Sequence, residues 1–142
     1  MEERAQNIAV ATSIIEEAGY FAKPDEDGDL IFKIEGVSGF FELFDDDDHY
    51  ARILMRFDLK ADVDIDKAIR IANRATLDTK AVKSTIDPVK RRFYVSVESF
   101  FDDIEHLRRP MNRILSQLVR ADADFFTQLP QAEPIMERKE TA

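Results

Sequence analysis

The chain has 142 residues, a formal charge of -9, a pI near 4.7 and no cysteine. That length suffices for one domain that buries roughly two-thirds of its unfolded surface without a metal or disulfide staple. The missing cysteines exclude a disulfide framework and a thiolate nucleophile or metal ligand, and the acidity argues against non-specific binding to nucleic acid or anionic membrane.

Residues 3 to 19 place Ala5, Ile8, Ala11, Thr12, Ile15 and Ala18 on one stripe, which predicts an amphipathic helix stopped by Gly19 at C′. The opening MEERAQNIAV carries acids and no long apolar core, so it does not read as a signal peptide, and no apolar run approaches a membrane span. A cytoplasmic protein is expected. The segment YFAKPDEDGD, broken by Pro24 and Gly28, reads as a loop.

Residues 29 to 59 then alternate with period two, as a three-stranded antiparallel meander over 29–36, 38–44 and 50–59. A two-residue Gly36-Val37 turn would set Glu35 opposite Ser38, and the DDDDH loop would set Phe44 opposite Tyr50 and Glu42 opposite Arg52. One face collects Leu30, Phe32, Ile34, Phe41, Leu43, Ala51, Ile53, Met55 and Phe57 without a charge. The other mixes Ile31, Phe40, Phe44, Tyr50 and Leu54 with Lys33, Glu35, Glu42, Arg52 and Arg56.

Asp62 or Asp64 can cap a helix from Ile65 to about Asp78, with Ile65, Ala68, Ile69, Ala72 and Thr76 as its thin apolar stripe. Residues 80–86 and 91–98 read as a second hairpin over Asp87-Pro88-Val89-Lys90, with Lys83, Arg92 and Tyr94 outward. From Asp103 to Leu129 the apolar spacing is helical, capped by Asp102 or Asp103, and Pro110 either kinks the helix or marks its first turn. Residues 1–129 form the expected single domain, and the tail 130–142, with two prolines, is expected to be disordered.

The expected fold is α+β, in the order α-β-β-β-α-β-β-α, with a largely antiparallel five-stranded sheet and helices one and three on its charge-free face. The outward face needs a cover: helix two within the chain, a second copy, or a partner peptide.

Candidate chemistry is sparse. Aligning Asp25-Glu26-Asp27-Gly28-Asp29 to a calcium loop puts Lys23 and Ile34 where carboxylates are required, so an EF-hand is excluded and turn chemistry remains. Asp45 to Asp48 could collect a divalent cation, but a solvated charge run is the favoured reading. His49 and His106 have acids nearby and no nucleophile or HExxH spacing, and the glycines form no GxGxxG or P-loop. No cofactor, metal or catalytic residue is expected. Lys83, Lys90, Arg91 and Arg92 interleaved with Phe93 and Tyr94 lack an RNP motif, so nucleic acid is not an expected partner.

The segments IANRATLDTKAVKSTID and VKRRFYVSVESF, with the closing LVRADADFFTQL, in this order of elements on a small acidic chain, resemble the YbjN-like family, which shares its fold with type III secretion chaperones. The resemblance implies a cytoplasmic homodimer without catalysis. It also implies a protein that binds an extended segment of a partner protein, or a regulator of sensory transduction. The face expected to carry the partner or the dimer is Ile31, Phe40, Phe44, Tyr50, Leu54 and Tyr94. The alternative is a divalent-metal-responsive or small-molecule-binding regulatory domain.

Overall fold

A computed structural model describes residues 2–129. The elements run α1 (Glu2–Glu17), β1 (Ala22–Pro24), β2 (Leu30–Ile34), β3 (Val37–Leu43), β4 (Tyr50–Asp58), α2 (Ile65–Asp78), β5 (Lys83–Asp87), β6 (Arg92–Phe100), a 3₁₀ turn (Ile104–Leu107) and α3 (Met111–Gln128). All strands pair antiparallel in one sheet of order β1-β2-β3-β4-β6-β5.

The helix ends follow local chemistry. Gly19, at φ 105°, closes α1 in a Schellman motif, with Tyr20 N donating to Ile15 O at 3.1 Å and Gly19 N to Glu16 O at 3.0 Å. Asp64 caps α2 by accepting from Lys67 N at 3.2 Å. Asp103 caps the 3₁₀ turn, accepting from Glu105 N at 2.9 Å, and Pro110 then stands at the N-cap of a separate α3. Of the two readings of Pro110, the one that places it at the start of the helix agrees with the structure, and the stretch from Asp103 to Arg109 is a separate turn because the proline lacks the N–H that a continuous helix would use.

Two expectations about the sheet are corrected. It has six strands, since Ala22–Pro24 pairs with Leu30–Phe32 in the stretch read as loop; three paired residues ending in proline leave almost no alternation to detect. The β2–β3 turn is Glu35-Gly36, with both residues left-handed (φ 50° and 80°), as a type I′ turn requires. Ile34 accordingly faces Val37, and Ser38 faces Lys33 in place of Glu35. The slip is two residues, so every side chain keeps its expected face but changes its partner. The β3–β4 register agrees with expectation, with Glu42 opposite Arg52.

The charge-free face carries the core. Phe93 stacks on Phe125 with centroids 3.8 Å apart, and Phe126 meets Phe57 edge-on. Opposite Phe32, a Cβ on Gly39 would come within 2.5 Å of the ring, so this strand position admits only glycine. All three helices contribute buried residues to this one core. Helix two thus joins helices one and three, and its buried residues are Ala68, Ile71, Ala72 and Ala75, while Ile69, expected inward, is 42% exposed. Thr76 of α2 reaches β5, where its Oγ1 accepts from Ser84 N at 2.9 Å and lies 3.2 Å from Ser84 O. The tail expected to be disordered, 130–142, lies outside the described residues.

Candidate interaction face

The outward face is built by the type I′ turn. With Glu35 and Gly36 as its corner, Ile31 falls opposite Phe40, and Phe40 opposite Leu54, so three apolar side chains meet in one row across β2, β3 and β4. They form a second, small cluster with Tyr94 packed against it. Ile31, Phe40 and Leu54 are only 3%, 4% and 3% exposed, although the helices lie on the opposite face. These three side chains are therefore not open to water.

The other expected residues lie at the far end of the same face. Phe44 and Tyr50 are half-buried and their ring centroids are 5.4 Å apart; Tyr50 in turn lies 5.3 Å from Phe100, its cross-strand neighbour. Phe100 is 78% exposed. Sequence reasoning missed it, because it ends a strand next to Phe101, and only the pairing with Tyr50 shows which of the two points outward. Tyr50 donates to Glu98 at 2.6 Å, and burial followed by that bond pushes its hydroxyl up to about 12.

Between these ends, β4, β5 and β6 line a groove of about 370 Å³ that includes Leu54, Arg56, Lys83, Arg92, Tyr94 and Glu98. Most of its charges are paired: Arg52 donates to Glu42 at 2.6 Å, Arg92 to Asp58 at 3.0 Å, and Lys83 contacts Glu98. Glu98 is held below the usual carboxylate range by its bonds from Lys83 and Tyr50. Arg56 differs. Its guanidinium lies over the Phe40 ring, and among the described residues its buried Nε has no hydrogen-bond partner.

The remaining candidates take structural places. Asp25 Oδ1 accepts from Asp27 N and Asp29 N, an Asx turn, and Arg4 ties that loop down through Asp27 O and Asp29 Oδ1, both at 3.2 Å. Burial raises the Asp29 carboxyl even so. In the DDDDH loop, Asp47 accepts from His49 N, while His49 Nδ1 lies 3.1 Å from Phe101 O, a contact that raises the imidazole. Arg91 donates to Lys60 O, Ala61 O and Val63 O, so the basic run at 90–92 is divided between a loop anchor and a sheet ion pair. Among the described residues no three His, Asp or Glu side chains are grouped to hold a metal ion, and no helix is long and apolar enough to cross a membrane.

Neither a family model nor a curated protein sequence matches the chain. Solved structures do. YbjN from E. coli, described as a candidate transcription regulator, superposes with a TM-score of 0.71 at 9% identity over 90% of this chain and 96% of its own. An uncharacterized protein from Methanothermobacter thermautotrophicus gives 0.65 at 14% identity, over 88% and 97%. A chain of the HopA1–SchA chaperone–effector complex gives 0.52 at 9% identity, over 83% and 97%. At such identities the fold is what is shared, and this chain has the YbjN-like, chaperone-like α+β fold.

Proposed function

We propose that this protein is a non-catalytic interaction module, working as a homodimer, that binds an extended segment of a partner protein across the outward sheet face. The observation that carries this reading is the division of the sheet. One face takes all three helices, and the other holds an apolar row, a charge-lined groove and the exposed ring of Phe100. An aromatic anchor beside a groove rimmed by paired charges is the arrangement through which a segment gains contact area and register. The likeness to a chaperone–effector complex supports a protein partner, and the likeness to YbjN is compatible with a regulatory role.

The test is Phe100→Asp. This exposed side chain contributes little to the core, so the variant is expected to melt within about 2 °C of the parent. It should lose self-association in sedimentation equilibrium, or lose the partner that the parent retains. A folded variant that keeps both would remove the outward face as the interface.

A further inference from the structure

The groove on β4, β5 and β6 has a charge opposite to that of the chain. The chain carries -9, yet the groove is lined by five cationic side chains and two carboxylates. Three of the cations are matched: Arg52 by Glu42, Lys83 by Glu98 and Arg92 by Asp58. Arg56 and Lys90 are not, since neither has a carboxylate within ion-pair reach among the described residues. Arg56 instead rests on the Phe40 ring, with its buried Nε lacking an acceptor among those residues.

The two unmatched cations decide what the groove can take. A guanidinium held against a ring keeps one position, and a desolvated N–H donor gains most from a charged acceptor. Lys90, exposed in the β5–β6 turn, adds a second positive charge to the same groove. Glu42 and Glu98 flank Arg52, one outward position nearer Tyr50. A polyanion such as nucleic acid would meet these two carboxylates and the charge of the whole chain, whereas a segment with one or two acids needs only Arg56 and Lys90. Tyr94, the cross-strand neighbour of Arg56, is about six residues from Phe100 along β6, roughly 20 Å. An extended segment covers that distance in the same number of residues. It can thus meet the two cations with an acid and the 78% exposed ring of Phe100 with an apolar side chain.

We propose that the partner segment is acidic, with an Asp or Glu seated on Arg56 and Lys90 and an apolar side chain about six residues away on Phe100. This rests on the assignment of the outward face as the interaction site. Lys90 supplies attraction from the rim and Arg56 fixes the carboxylate, so together they set which segments are accepted.

The test pans a display library of short random peptides against the full chain. Attraction by net charge alone would enrich Lys and Arg, because the chain is acidic. The expected result is the opposite: enrichment of Asp or Glu about six residues from an apolar residue. The selected peptides should bind Arg56→Gln and Lys90→Glu about tenfold more weakly than the parent. Lys90 is exposed on a turn, so its variant keeps the fold even if Arg56→Gln loosens the sheet. Basic or uncharged selected peptides, no selected peptides, or acidic ones that bind both variants as tightly as the parent would overturn the proposal. Displacement by inorganic phosphate at constant ionic strength would overturn it too, by making the groove a site for small anions. Lost self-association in Lys90→Glu with peptide affinity intact would place a second copy there instead. The result separates from that of Phe100→Asp. Uncharged peptides that are lost in Phe100→Asp would keep the outward face and discard the acidic partner, whereas peptides indifferent to all three variants would discard both.

Discussion

The guanidinium carbon of Arg56 lies 4.3 Å from the centroid of the Phe40 ring, on the sheet face opposite the helices. The pair joins the apolar row to the charged groove, since Phe40 belongs to the buried cluster and Arg56 lines the cavity beside it. Arg56→Ala removes both the stacked cation and the stem that covers the ring. A loss of about 1 kcal/mol in urea unfolding is expected, with Arg56→Lys recovering part of it. Phe40→Ala should cost about 3 kcal/mol, as for a core aromatic. A Phe40→Ala cost within about 0.5 kcal/mol of zero would mean that the row is not packed in solution.

Asp122 supplies the pH dependence. Burial, reinforced by the charge of Glu35, pushes its carboxyl up to about 7 from an ordinary value of 3.8. The folded state therefore binds the proton more tightly than the unfolded chain, and this group's contribution to stability falls as pH rises from about 4 to about 7. Asp122→Asn is expected to stabilise the protein at pH 8 by about 1–3 kcal/mol and to flatten that part of the profile. Chemical denaturation at pH 5 and pH 8 reads both. An unchanged slope would place the proton on another group.

Glu35 couples the turn to that carboxyl. It holds a left-handed conformation that favours glycine or asparagine, and its charge adds to the burial that raises Asp122. Glu35→Asn should relieve the backbone cost by about 0.5–1 kcal/mol while lowering the Asp122 titration midpoint, visible by carboxyl ¹³C NMR. A stabilised variant with an unmoved midpoint would sever the two effects.

The cap of α2 is separable from the interaction face. Asp64→Ala should cost about 1 kcal/mol through the lost bond to Lys67 N, and Asp64→Asn should recover most of it. Self-association measured on the folded variant should be unchanged.

Where a residue's role depended on its sequence neighbours, it was legible beforehand. Asp64, Gly19 and the Glu42–Arg52 pair all follow from spacing and caps, as does the face to which each meander residue belongs. What depended on partners distant in sequence was not. Three-residue β1 is a strand because Phe32 and Ile31 face it, and Ile31 meets Phe40 because a charged residue accepts a left-handed turn that Gly36-Val37 seemed to offer. Ile69 and Ile71 are both β-branched and apolar, and only the placement of α2 over β5 and α3 decides which is inside. The candidate face was recognised as unusual from its mixed chemistry, but its anchor Phe100 and the stacked Arg56 required the register of β6 against β4.

The bond between Thr76 and Ser84 bears on how copies of this protein can meet. Sheets most readily enlarge sideways, by adding a strand to an open margin, and that route also leads to fibres. Here the β5 margin has its Ser84 backbone N–H engaged by a helix side chain, and the β1 margin is three residues long and ends in Pro24, which offers no N–H. Each margin thus has one fewer N–H to offer a further strand. The open sheet margins are thereby poor templates for an open-ended ribbon.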